Sequence, residues 1–221
     1  MLVKICGITN PEDALVAETA GADFLGTIFV SESKRYVTVE QARGILQNIK
    51  RAKAVALFRD EKIDNVVEKV KLLEYQFVQF HGKESVNYIN EFITRNPPCN
   101  VIKVFFVKDE QVVDEMLQFY SDVINKNALF AFLLDSARGG GTGETFNWKK
   151  LSSVLCRWRD RLPRIFLAGG LTPENVIEAI QTIKPDGVDI SSGVEISAGK
   201  KDANKVKQFI SLAKKGENIH G

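Results

Sequence analysis

At 221 residues, with 44% apolar and 26% charged side chains, the chain can build one sizeable core and has the balance of an ordinary globular protein. Thirty basic against twenty-eight acidic residues leave a net charge of +2, which argues against binding polyanions by bulk charge, so no nucleic-acid partner is expected. No apolar run reaches membrane-spanning length, no basic-plus-apolar leader opens the chain, and Cys6, Cys99 and Cys156 lack framework spacing, so the expected setting is the reducing cytoplasm, away from any membrane.

Val3-Lys4-Ile5-Cys6 has the branched, apolar character of a buried strand, Gly7 ends it, and Asn10-Pro11 starts a helix. Side chains alternate along a strand, so Lys4 and Cys6 share one face while Val3 and Ile5 take the other. A cation therefore lies under a thiol, where it would lower the thiol pKa and favour the thiolate. By itself this is also the pattern of a small buried cysteine beside a structural lysine.

The helix over 12–20 is stopped by Gly21, and the apolar run 24–30 leads into a polar loop over 31–36. Thr38 and Gln41 form a capping box for a helix running to about residue 50. A strand over 54–58 precedes a helix over 62–73, whose Ile63, Val66, Val67 and Val70 recur at helical spacing. The next strand, 77–80, is closed by His81-Gly82 before a helix over 83–94, and Pro97-Pro98 separates that helix from a strand over 101–107. A helix over 109–120, a strand over 128–134, a glycine-rich loop over 138–144 and a helix over 148–158 follow. The last units are a strand over 165–168, a helix over 173–183 with Thr172 as cap and Pro173 at its first position, a strand over 187–190 and a helix over 202–214. Residues 214–221 are expected to be a frayed tail on a single domain spanning 1–221.

Eight strand-helix units on short connections, without a linker or composition break, predict an α/β fold with a parallel sheet closed into a TIM (β/α)8 barrel. An open doubly wound sheet is the alternative, but the dinucleotide fingerprint is missing after the first strand. In a parallel barrel the carboxyl ends of the strands carry the chemistry. Here those ends supply Cys6, Arg35, His81, Asp135, the Gly139–Gly143 run, Gly169-Gly170 and Ser191-Ser192-Gly193. Taken singly, Asp135 has the ordinary job of capping a loop, His81 that of ending a strand, and Arg35 that of a solvated side chain. The turns after the seventh and eighth strands carry more, because glycine lets backbone approach an anion and serine adds donors where this architecture often seats a phosphate.

Seven segments in order resemble phosphoribosylanthranilate isomerase of tryptophan biosynthesis: Lys4-Ile5-Cys6-Gly7-Ile8-Thr9, Ser33-Lys34-Arg35-Tyr36-Val37, Val78-Gln79-Phe80-His81-Gly82, Leu133-Leu134-Asp135-Ser136, Gly140-Gly141-Thr142-Gly143 with Phe146-Asn147-Trp148, Leu167-Ala168-Gly169-Gly170-Leu171, and 188–195. The resemblance implies a cytoplasmic TIM-barrel isomerase that needs no cofactor or metal. It would take a phosphorylated sugar-anthranilate through an Amadori rearrangement. It implies Asp135 as general acid and Cys6 as general base, and Arg35 at the anthranilate carboxylate. Gly169, Gly170, Ser191 and Ser192 would bind the phosphate, with His81, Gly141 and Asp189 elsewhere in the substrate site. The chemistry asks for a raised pKa at Asp135 and a lowered one at Cys6.

Because the first and eighth strands are neighbours in a closed barrel, Lys4 is expected to pair with Asp189 inside it. The glycine-rich loop after Asp135 reads as a mobile cover. Three positions depart from the family pattern: Asn147 in place of aspartate, Thr172 in place of asparagine, and Lys34 in place of proline, the last loosening the loop that presents Arg35. Another sugar-phosphate barrel, such as an epimerase or an indole-forming synthase, would keep the phosphate turns with different acid-base groups. A phosphate-ligand sensor would keep the cradle but need neither Cys6 nor Asp135. Monomer and homodimer both remain open.

Overall fold

Branched and aromatic residues, punctuated by glycine and proline, give eight short parallel strands that close in sequence order, with β1 beside β8. The structure, a computed structural model, describes residues 1–95, 99–136 and 147–217. The strands are β1 (Leu2–Ile5), β2 (Phe24–Ile28), β3 (Lys53–Phe58), β4 (Phe77–Phe80), β5 (Asn100–Val107), β6 (Leu129–Ser136), β7 (Arg164–Leu167) and β8 (Gly187–Ile190). The helices between and after them are α1 (Pro11–Ala20), α2 (Val39–Leu46), α3 (Ile63–Leu72), α4 (Val86–Arg95), α5 (Val112–Asp122), α6 (Trp148–Trp158), α7 (Val176–Ile183) and α8 (Ala203–Glu217). This is the expected (β/α)8 barrel.

Capping chemistry accounts for several helix starts. Asn10 accepts from the Asp13 amide with Pro11 in the first helical turn, and Thr38 and Gln41 form the reciprocal box. Thr172 does not cap α7: its hydroxyl accepts from the Glu174 amide in a preceding turn, and the helix begins at Val176. Asn175 is diverted backwards, accepting from the Thr172 amide and donating to the Gly170 carbonyl, which ties the β7 turn to the helix. Helix α2 ends at Leu46, earlier than the sequence predicts, and α8 continues through Lys214 to Glu217, where the tail was expected to begin. An extra hairpin, β9 (Glu195–Ser197) with β10 (Lys200–Lys201), follows β8.

Outward residues such as Val3, Ile5, Val78 and Val188 pack under the helices in one large cluster. Inside the barrel, Phe24, Phe77 and Phe166 join Phe130 in a plug, with Phe24 and Phe77 edge to face at 5.2 Å and Phe77 and Phe130 at 5.0 Å. Above it the interior turns polar. Lys4 donates to Asp189 at 2.9 Å, both buried, across the β1–β8 register that pairs them. Gly26 on β2 leaves the necessary room, since a Cβ there would lie 2.9 Å from Cys6 Sγ and 3.2 Å from Lys4 Nζ. Among the described residues no helix is long and apolar enough to cross a membrane.

Replacing Lys4 by methionine would leave Asp189 buried without its cation, so a loss of roughly 3–5 kcal/mol in urea unfolding is expected, the usual cost of stripping one partner from an interior ion pair. A loss under about 1 kcal/mol would show the pair to be dispensable.

Candidate active site

One cavity of about 190 Å³ opens at the carboxyl ends of the strands, and Cys6, Arg35, His81, Asp135, Gly169, Gly170, Asp189, Ser191 and Ser192 all line it. The structure thus brings together every predicted site residue except Gly141, which lies outside the described residues, as does the glycine-rich loop.

Asp135, near the end of β6, is 5% exposed, and its Oδ1 accepts from the Ser136 amide at 2.7 Å. Burial is the largest influence and raises its pKa to about 6; Asp189 adds to this, while the Ser136 N–H and Lys4 work against it. The carboxyl therefore keeps its proton up to about pH 6, well beyond the range of an exposed aspartate. His81 Nε2 stands 3.5 Å from Asp135 Oδ2, while its Nδ1 meets the Gln79 amide at 3.0 Å. Burial, with Lys4, Lys103 and Arg59, lowers the imidazole to about 3, so the contact joins a neutral ring to a carboxyl and is no ion pair.

Cys6 corrects an expectation. Its thiol is raised above its ordinary value of 9.0, because burial and the Asp189 charge outweigh the lowering pull of Lys4 and Lys201. Lys4 is the strongest downward pull on the thiol, but its ion pair with Asp189 brings an opposing charge to the same place. Burial works against the Lys4 proton, but Asp189 and Cys6 overcome it and hold the ammonium above its usual range. In the ligand-free protein the thiol is protonated at neutral pH.

The turns after β7 and β8 supply one side of the cavity. Gly169 and Gly170 have φ of +79° and +68°, a conformation that suits glycine, and a Cβ on Gly169 would lie 2.6 Å from the Ser136 amide and 2.9 Å from Asp135 Oδ1. The anion-turn candidate thus packs directly against the candidate acid. Beside the β8 turn, with Gly7 between its stem and the Ser191 hydroxyl, Arg35 is held by Glu195: Nε donates to Oε1 at 2.8 Å and Nη2 to Oε2 at 2.7 Å. Within the loop that carries it, the Ser33 hydroxyl accepts from the Arg35 amide at 3.1 Å. The sequence reading assigned no role to Glu195, Lys201 or Gln79. Glu195 lies 160 positions from Arg35, with no local pattern to link them.

A family model for N-(5'-phosphoribosyl)anthranilate (PRA) isomerase matches residues 3–212. The N-(5'-phosphoribosyl)anthranilate isomerase of Thermotoga neapolitana is 42% identical over 215 residues, covering 96% of this chain and 98% of its own. That of Pelobacter propionicus is 40% identical over 216 residues, covering 96% and 95%. The crystal structure of phosphoribosyl anthranilate isomerase from Thermotoga maritima superimposes with a TM-score of 0.85 at 37% identity, over 97% of this chain and all (100%) of that one. A phosphoribosyl anthranilate isomerase in complex with reduced 1-(o-carboxyphenylamino)-1-deoxyribulose 5-phosphate gives 0.82 at 35% identity, with the same 97% and 100% coverage.

Proposed function

The chain belongs to the N-(5'-phosphoribosyl)anthranilate isomerase family, and from that premise we propose that it converts N-(5-phosphoribosyl)anthranilate to 1-(2-carboxyphenylamino)-1-deoxyribulose 5-phosphate with Asp135 as general acid and Cys6 as general base. The observation that carries this reading is the single cavity lined jointly by the carboxyl, the thiol, Arg35 and the two turns after β7 and β8. Asp135 gives its proton to the ribose ring oxygen as the C1–O bond breaks and nitrogen electrons form the imine. Cys6, as thiolate, removes the proton from C2, and the resulting enolamine becomes the aminoketose. Arg35 meets the anthranilate carboxylate; Gly169, Gly170, Ser191 and Ser192 seat the phosphate through backbone and hydroxyl donors. Asp189 fixes Lys4, and neutral His81 borders the acid without competing for its proton. As a family enzyme of tryptophan biosynthesis it would work in the cytoplasm.

Because Asp135 is raised to about 6 while Cys6 is raised from 9.0, the reacting pair of protonated carboxyl and thiolate is a minor population of the free protein. Between the two values that fraction is constant, since each pH unit that ionises the thiol tenfold further depletes the protonated carboxyl tenfold. Titration of the ligand-free protein is expected to give a carboxyl change near pH 6 by NMR that vanishes in Asp135→Asn. The ultraviolet thiolate signal that vanishes in Cys6→Ala should emerge only above the ordinary thiol range. A Cys6 thiolate signal at neutral pH would reverse this account. For the reaction itself, the decisive test follows the fluorescence of the anthranilate substrate. Signal loss with the wild type but not with either variant supports the isomerase, and tight binding without turnover by the wild type would leave a sensor.

A further inference from the structure

Arg35 reaches the cavity mouth with two of its five N–H groups already committed to Glu195 in a fork-to-fork pair. Glu195 and Lys201 are not among the described residues lining the cavity, whereas Arg35 is, so the carboxylate stands behind the guanidinium. That carboxylate is itself fixed. Its side chain is 5% exposed, and Oε1 accepts from Lys201 Nζ at 2.9 Å and from the Gly199 amide at 3.3 Å as well as from Arg35. Lys201 is fully buried on the cross-strand position of the β9–β10 hairpin, and its Nζ also reaches the Ser191 carbonyl at 3.2 Å. The Arg35 stem runs over Gly7, where a Cβ would lie 2.5 Å from Arg35 Cδ. Backbone, hairpin and ion pair thus brace the guanidinium, with Nη1 and the second N–H of Nη2 unused by Glu195.

We infer that Glu195 is a positioning residue that holds Arg35 in the pose from which it receives the substrate carboxylate, with Lys201 and the β9–β10 hairpin as its support. This rests on the reading of Arg35 given above. The physical gain is pre-organisation: a long, flexible side chain loses its rotamer freedom on folding instead of on binding. Burial pushes the Glu195 carboxyl upward, but Arg35 and Lys201 more than offset it and keep the group ionised. Among the described residues Oε1 takes three donors and Oε2 one, and the pair leaves three Arg35 N–H groups for the substrate carboxylate.

The test compares Glu195→Gln, Arg35→Ala and the double variant for KM and kcat on N-(5-phosphoribosyl)anthranilate, and on the corresponding aniline compound that lacks the carboxylate. Glu195→Gln is expected to raise KM about 10-fold with kcat changed less than about 3-fold, to add nothing in the Arg35→Ala background, and to have no effect on KM for the aniline compound. Glu195→Asp, which keeps the charge but shortens the reach, should raise KM in the same direction and serves if the glutamine variant fails to fold. An unchanged KM in Arg35→Ala would remove the carboxylate reading and this inference with it. A raised KM in Arg35→Ala together with a Glu195 effect that is absent, or that persists in the double variant or with the aniline compound, would overturn the positioning role alone.

Discussion

Asp135→Asn is expected to lower kcat by about 10²–10⁴-fold while making the folded protein more stable at neutral pH. The first effect follows from removing the proton donor at the ring oxygen in a variant of nearly unchanged shape. Asparagine Oδ1 can still accept from the Ser136 amide, which donates at 2.7 Å to the native carboxylate. The second follows from the sign of the pKa shift. A carboxyl moved from 3.8 to about 6 by burial binds its proton more tightly in the folded than in the unfolded chain. Stability from this group is therefore greatest below the unfolded value, falls as pH rises through 3.8 to about 6, and stays lost above it. Asparagine has no charge to desolvate, so at pH 7 the variant should gain on the order of 1–3 kcal/mol in denaturant unfolding. An inactive variant of lower stability would mean that the carboxyl holds the fold together; an active one would take the acid away from this position.

Cys6→Ala should be comparably damaging, with kcat lower by about 10²–10⁴-fold and substrate affinity nearly unchanged, because the thiol meets the substrate only through the C2 proton. Cys6→Ser separates basicity from size. A hydroxyl of similar volume under the same Lys4 is far less acidic than a thiol, so it should be close to alanine in rate. Serine activity near that of the wild type would show that position 6 only fills space beside Gly26, and would move the base elsewhere. The other two thiols give a control: Cys99 is buried and raised to about 12 by that burial, and Cys156 is exposed on α6, so neither substitution should change turnover.

The difference between what could and could not be read from sequence lies in the range over which each cause acts. Strand and helix identities follow from local punctuation, so the eight units and the end at which the site forms were legible from glycines, prolines and caps. The Lys4–Asp189 pair was legible too, although its members are 185 positions apart, because closure of the sheet makes β1 and β8 neighbours. The state of Cys6 was not. Sequence gives the sign of the charge at Lys4, but not that burial, joined by the charge of Asp189, exceeds its pull. The β9–β10 hairpin escaped because strands of two and three residues show no alternation, and with it went Glu195, whose partner is reached only through the folded rim. At α7, Thr172 has the chemistry of a cap, but Asn175 folds back onto Gly170 and shifts the helix start.

The interior lysine of β1 also bears on how the molecule comes into being. Lys4 precedes its mate Asp189 by 185 positions, so synthesis delivers the ammonium long before the carboxylate that pairs with it. Until then the growing chain must keep that ammonium in water and the first strand's edge unpaired, because burying it bare would cost several kcal/mol. Partial barrels that lack β8 are thereby penalised, and β1 is expected to dock fully only once β8 is there to pair with it.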